Sequence, residues 1–353
     1  MRFKTLLYLL MPLLFIVPSF AQTDALTREL TQFLNVPDVD GAVFWADLDG
    51  EQIELAAGQV QRDPFMATTS QHRFYIASSG KMMVAAAILH HVASGQLELD
   101  ELAWPHINNI EGIDRLENAD RVTIRQLLQH TSGLAEYLSD EFDTASWDDP
   151  THQWAVAEAL SFAYDEPAAF PPGTDYEYTN TNYVLLGHML AQLDGSLAQS
   201  LDRHIFTPAN MTQSTVGANA NAPNLARGYD RDGEDASALA WASTLGDGPV
   251  VTTAGDLGRF LRALFQENSI LEPDMLSLML QGSRHEPTYG LGVGVQSDEW
   301  GTWYGHSGAY DGFEAFERHY PERRATLVIL LNGNPAQDGN FLDRAAKILF
   351  SAP

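Results

Sequence analysis

Ser78-Ser79-Gly80-Lys81 places a hydroxyl and an amine three residues apart at the start of an apolar helical stretch. Positions i and i+3 share one helical face, so the Lys81 amine can reach the Ser78 hydroxyl. The start of the helix brings its positive dipole end and free backbone N–H groups beside Ser78, where an oxyanion would form. The chemistry this suits is attack on an acyl carbon, with the amine taking the serine proton. A serine cap above a packing lysine is the plainer alternative. Against it, an amine set among Met82 and Ala85 is costly without a role, and the chain has only three lysines, Lys4, Lys81 and Lys347. Burial also disfavours the charged form of such a lysine, so Lys81 is expected to work as a neutral or proton-sharing amine. Two further elements offer polar groups. Tyr178-Thr179-Asn180 presents a phenol and a carboxamide just before a helix near Asn182. His306-Ser307-Gly308-Ala309 follows the aromatic pair Trp303-Tyr304, with a glycine that permits close backbone approach. Taken singly, the first reads as an aromatic loop and the second as a turn with a surface histidine.

Composition narrows the field. The 353 residues carry 47 acidic and 20 basic side chains, a net charge of −27, and no cysteine. Such a charge repels nucleic acid and anionic membranes, and the absence of cysteine excludes disulfides, thiolate metal sites and a cysteine nucleophile. The substrate is therefore expected to be a small molecule or peptide, with no nucleic-acid partner. The 11 histidines include His90-His91 but show no zinc-type spacing, so neither a metal nor a cofactor is expected. Gly305-His306-Ser307-Gly308-Ala309 approximates a nucleophile elbow, but it precedes a strand rather than a helix. His130-Thr131-Ser132-Gly133 imitates the His306 element and reads instead as a helix cap.

The first residues read as an export signal. Arg2 and Lys4 precede a twelve-residue apolar stretch, Leu6 to Val17, and Ser19-Phe20-Ala21 offers a cleavage site after Ala21. The stretch is short of the ~18–20 residues needed to span a bilayer. Loss of Arg2 and Lys4 would take the charge to −29. A periplasmic or secreted protein without a stable membrane anchor is expected.

The elements that must position these residues form a sandwich of textures. Residues 22–95 and 246–353 read as an α/β (α+β) sheet domain, and 96–245 as a mostly helical insertion rich in Pro, Asp, Asn and Gly loops. Apolar patterns predict helices at Thr23–Leu34, Ser78–Ala93, Thr123–Gln129, Thr151–Ala163, Asn182–Leu193, from Thr253, and at Asn340–Phe350. Strands are predicted at 41–46 and 53–56, then at Gly290–Val295, Thr302–His306, Gly312–His319 and Ala325–Leu331.

Together, Ser-x-x-Lys, Tyr-x-Asn and His-x-Gly in this order resemble the serine β-lactamase and penicillin-binding-protein superfamily. The nearest likeness is its class C-like branch of D,D-carboxypeptidases, D-aminopeptidases and carboxylesterases. Phe74 to Ser78, Val122 to Leu134, Pro172-Gly173 and Val251 to Leu257 extend the resemblance over essentially the whole chain after the signal. It implies a β-lactamase/transpeptidase-like fold, an antiparallel sheet flanked by helices. It also implies that Ser78 is acylated, that Lys81 and Tyr178 share the proton work, and that Asn180 holds Lys81 and the substrate amide. The backbone N–H groups of Ser78 and Ala309 would form the oxyanion hole, with Ser307 and Gly308 beside the substrate. His306 stands where true class C β-lactamases have lysine, and a neutral histidine titrating near neutral pH is expected there. The resemblance thus favours an exported hydrolase of D-Ala-D-Ala or D-amino-acid-type peptide bonds. Carboxylesterase, β-lactamase and a penicillin-binding sensor without turnover follow in that order. Arg284 and Arg259 are candidates for a carboxylate clamp only by their place in the sequence.

Overall fold

The computed structural model describes residues 19–335 and 341–351. The basic start and apolar stretch of the export signal lie outside them. Helix α1 (Phe20–Phe33) begins at a capping box between Ser19 and Gln22, so the cleavage expected after Ala21 falls in its first turn.

Strands β1 (Val39–Leu48) and β2 (Glu51–Gln61) form a hairpin closed by Asp49-Gly50, both with positive φ, as a two-residue turn requires. The short strands β3 (Met66–Ala67) and β4 (Phe74–Tyr75) lead to a 3₁₀ turn (Ala77–Gly80) and then to α2 (Lys81–Ala93). Next come α3 (Trp104–Ile107), α4 (Ile124–Leu128), α5 (Asp140–Asp148), α6 (Val156–Leu160), α7 (Thr181–Asp194), α8 (Leu197–Leu201), β5 (Thr215–Val216) and α9 (Ser237–Ala242). The chain ends through β6 (Val250–Thr252), α10 (Ala254–Phe265), α11 (Pro273–Met279), β7 (Gly294–Asp298), β8 (Gly301–Tyr310), β9 (Phe313–Tyr320), β10 (Ala325–Gly333) and α12 (Phe341–Phe350).

Seven strands make one antiparallel sheet in the order β3-β2-β1-β10-β9-β8-β7, so the first long strand of the chain pairs with the last. Side chains alternate across it. Ala42, Phe44 and Ala46 of β1, with Leu327, Ile329 and Leu331 of β10, pack against α1 and α12. Val43, Trp45, Val328 and Leu330 face the opposite way, into the larger core shared with α2, α7 and α10. Helix α2 is buried on every side from Lys81 to Leu89, which matches its nearly unbroken apolar sequence. A small sheet, β4-β6-β5, ties the strand before Ser78 to the helical segment. No helix of the described residues is long and apolar enough to cross a membrane.

Three local expectations are corrected. The helix expected from Thr151 begins only at Val156: Trp154 turns inward against Phe142 and Phe162, and Glu158 caps the later start by accepting from Ala155. Helix α5 was not anticipated, although Ser139 caps it and Asp140, Glu141 and Asp143 occupy its first turn. Strand β7 starts at Gly294 rather than Gly290. Gly292 has φ +75°, and a Cβ there would lie 2.4 Å from the Tyr183 hydroxyl, so the chain turns tightly against α7 before it extends.

Candidate active site

Ser78 is half-buried in the 3₁₀ turn between β4 and α2, and Lys81 is the fully buried first residue of α2. Ala77, immediately before the serine, has φ +44°, a left-handed conformation that costs energy for a residue with a Cβ. Three acceptors surround Lys81 Nζ: Ser78 Oγ at 2.9 Å, Asn180 Oδ1 at 2.7 Å and the backbone oxygen of Asp247 at 2.6 Å. The carboxamide and peptide oxygens can only accept, so they fix two N–H bonds. The third direction, toward Ser78 Oγ, is a lone pair in an amine and an N–H in an ammonium. This geometry lets a proton pass between the two side chains.

Asn180 caps the start of α7, and its backbone N–H and Nδ2 both donate to Glu136 Oε2, at 2.8 and 3.0 Å. That clamp turns Oδ1 toward Lys81. Burial raises the Glu136 carboxyl above its ordinary range, with the Asn180 N–H opposing the shift. On the other side, Tyr137 donates to Asp247 Oδ2 at 2.8 Å and holds the loop whose carbonyl meets Lys81. Tyr178 offers its ring 5.1 Å from Lys81 Nζ, and its buried hydroxyl has no hydrogen-bond partner among the described residues. His130 lies stacked on it, with ring centroids 4.1 Å apart. The His130 Nδ1 accepts from the Thr179 N–H and from Asn182 Nδ2, and burial holds the ring neutral, well below the usual histidine range.

Strand β8 closes the site from the sheet side. A Cβ on Gly308 would stand 2.0 Å from the Ile76 oxygen and 3.0 Å from the Ser78 nitrogen, so only glycine lets β8 approach the serine turn. The next residue, Ala309, is thereby set beside Ser78, and both line one cavity. His306 Nε2 is 3.0 Å from the Tyr289 hydroxyl, and Nδ1 is 2.6 Å from the Ser307 oxygen. Burial, then the nearby Lys81, push His306 down to about 4. Opposite it on β9, the buried Glu317 accepts from the Ser79 hydroxyl at 3.0 Å, and burial pushes its carboxyl up to about 8.

The cavity beside Ser78, about 90 Å³, has aromatic walls that include Tyr75, Tyr137, Phe142, Trp154 and Tyr310. Among the described residues, Asp149 and Asp247 are its acidic lining residues, and no arginine or lysine lines it. Asn180 borders the same cavity, whereas Tyr178, His306 and Ser307 border a second one.

The Beta-lactamase family model matches residues 26–350. The chain belongs to the beta-lactamase family. Among its relatives is Penicillin-binding protein 4* of Bacillus subtilis, 31% identical over 66% of this chain and 56% of that protein, so the chain spans little more than half of the relative's length. Penicillin-binding protein 4 of Amycolatopsis lactamdurans is 29% identical over 84% of this chain and 82% of its own. In fold the chain is similar to the D-amino acid amidase of Ochrobactrum anthropi SV3 (TM-score 0.76, 23% identity, 94% of this chain and 98% of that one). It is similar too to a D-stereospecific amidohydrolase from Streptomyces sp. (TM-score 0.78, 21% identity, 95% and 100%). These neighbours share the β-lactamase/transpeptidase-like fold.

In this member of the beta-lactamase family, the three elements read from the sequence converge around Lys81. Two expectations do not hold. His306 does not titrate near neutral pH, because burial and Lys81 keep it neutral down to about 4. Nor does either candidate arginine line the cavity: Arg259 is engaged by Asp256 and the Asn210 oxygen, and Arg284 by His285 and the Gly173 oxygen. His130 follows α4, as its sequence suggested, but packs under Tyr178 instead of serving only as a cap. Glu136, Tyr137, Asp247, Tyr289 and Glu317 were not singled out by sequence at all. Their types are common in an acidic chain, and no local spacing marks them.

Proposed function

We propose that this hydrolase cleaves amide bonds of the D-amino-acid type through an acyl-enzyme on Ser78. The observation that carries the reading is the Lys81 amine, held by Asn180 and Asp247 with its remaining direction on Ser78 Oγ at 2.9 Å. Ser78 Oγ attacks the carbonyl carbon while its proton passes to Lys81 Nζ. The backbone N–H groups of Ser78 and Ala309 stabilise the oxyanion. Tyr178 and Lys81 return the proton to the leaving nitrogen as the C–N bond breaks, and water then hydrolyses the ester to release the acid and free Ser78 Oγ. Asn180 orients both Lys81 and the substrate amide, and Ser307 and Gly308 of β8 flank the substrate.

The lining of the cavity supports a substrate with a free amine. Asp149 supplies negative charge, the aromatic walls suit an apolar side chain, and among the described residues the lining holds no arginine or lysine to pair with a terminal carboxylate. The same feature, with a neutral His306 in place of lysine, argues against efficient turnover of β-lactams, which carry a carboxylate. We place the enzyme outside the cytoplasm on the pattern of residues 1–21; N-terminal sequencing of exported protein tests that assignment.

The deciding experiment is a hydrolysis panel of D- and L-amino-acid amides, acyl-D-Ala-D-Ala, short acyl esters and a chromogenic cephalosporin, with the adduct mapped by mass spectrometry. D-amino-acid amides are expected to turn over fastest. Hydrolysis of short esters alone makes the protein a carboxylesterase. A stable penicilloyl adduct on Ser78 without turnover makes it a sensor.

A further inference from the structure

Some distance along the chain from Ser78, the far ends of α2 and α7 meet a π-helical turn, Asp202–Phe206. Such turns often mark functional positions, because they redirect a side chain out of helical register. Here they gather His91 from the last turn of α2, Asp194 from the end of α7, and His204 from the π turn. The three ligand atoms lie within 4.8 Å of one another. The two rings converge on one oxygen: Asp194 Oδ2 is 2.9 Å from His91 Nε2 and 3.2 Å from His204 Nε2. Arg203 takes the other oxygen, Oδ1, at 2.5 Å. The Asp194 and His91 side chains are only 4% and 5% exposed, while His204, at 18%, borders the surface.

The hydrogen bonds around His91 make this more than a charged patch. Its Nδ1 lies 2.7 Å from Gln96 Oε1. In a neutral ring, that contact puts the proton on Nδ1 and leaves the Nε2 lone pair facing a carboxylate oxygen. Two lone pairs at 2.9 Å repel unless a cation lies between them. His204 Nε2, although close to the same oxygen, forms no hydrogen bond with it. A carbonyl oxygen fixing the remote nitrogen of an imidazole is the arrangement that orients histidines on metals.

We propose that His91, Asp194 and His204 form a binding site for a divalent transition-metal ion of the zinc type, with solvent completing the coordination. Two imidazoles and a carboxylate are a donor set zinc accepts, and its bonds of about 2.0–2.1 Å set tetrahedral donors roughly 3.3 Å apart. The observed separations of 2.9 and 3.2 Å need to open only slightly. The ion would pin α2, which carries Lys81, to α7, which Asn180 caps, at the ends remote from the chemistry. Its role is therefore structural, and the inference is independent of the substrate reading. It runs against the expectation of no metal because the ligands lie 103 and 10 residues apart in sequence and match no zinc spacing.

The test uses tag-free, chelator-treated full-length protein with zinc and cobalt salts. One equivalent of Zn²⁺ is expected by equilibrium dialysis with elemental analysis, with Tm raised by several degrees. Co²⁺ should give the visible bands of a four- or five-coordinate site. His204→Ala, at the solvent edge, should abolish all three responses, as should Asp194→Asn if it folds. Unchanged Tm with no stoichiometric zinc would overturn the proposal and leave a protonated His91–Asp194 ion pair. Binding or cobalt bands that persist in His204→Ala would equally overturn it.

Discussion

The ring of His130 lies flat against that of Tyr178, centroids 4.1 Å apart, while its Nδ1 accepts from the backbone of Thr179 between Tyr178 and Asn180. One side chain therefore fixes both the face of the phenol and the path of the loop that carries the carboxamide to Lys81. His130→Ala leaves the Thr179 N–H and Asn182 Nδ2 without that acceptor, at about 1–3 kcal/mol. The expected result is a fall in kcat of roughly 5- to 100-fold. His130→Phe, which retains the stack, should keep more of the rate than His130→Ala. Steady-state kinetics beside a thermal melt separate this positioning role from general destabilisation, which would move Tm alone.

Ser78 and Ser79 are adjacent and do different things. Ser78→Ala should abolish turnover of every substrate and every covalent adduct. Ser79→Ala should still acquire the adduct on Ser78. It removes a hydroxyl from the buried Glu317 and should lower stability by about 1–3 kcal/mol, measured by urea unfolding. A mass-labelled peptide bearing the adduct on Ser79 would overturn the assignment.

Lys81 sits among three acceptors at 2.6–2.9 Å, a space shaped for an ammonium or amine. Lys81→Arg cannot accept the Ser78 proton and brings a larger planar group into that space. It should acylate as slowly as Lys81→Ala, on the order of 10³-fold or more below the native rate. Stopped-flow acylation by a fluorophosphonate measures this, and a rapid arginine variant would show that positive charge alone suffices.

The pH dependence of stability should bear two opposite signatures. Glu317, up at about 8 in the fold, keeps its proton while the unfolded chain loses its own from about 4.5. Its contribution is complete below about pH 4.5 and declines until the folded carboxyl ionises at about 8. His306, down at about 4, works in reverse: its contribution is complete above about 6.5 and declines as pH falls toward 4. Glu317→Gln should therefore match the native Tm near pH 4.5 and exceed it at pH 8. Nitrogen-detected NMR of His306 should show a neutral ring at pH 6. A variant whose Tm follows the native curve at every pH, or an imidazole titrating near 6.5, would contradict this account.

The sequence by itself determined what depends on near neighbours. The apolar runs at 41–46 and Ala325–Leu331 set two strands, and the apolar run from Met82 to Leu89 set a buried helix. The three-residue spacing of Ser78 and Lys81 set a hydroxyl and an amine on one face. Helix ends proved less readable where a side chain chose otherwise, as when Trp154 turned into the core and delayed α6. Only the tertiary structure decided that Glu136 clamps Asn180, that the Asp247 carbonyl meets Lys81, that His130 lies under Tyr178 and that Glu317 sits beneath Ser79. It also decided the state of His306, which its surroundings and the nearby Lys81 push down to about 4. The physical reason is range: local periodicity follows from backbone geometry, whereas these contacts join segments about 45 to 240 residues apart that only the packed sheet and helices bring together.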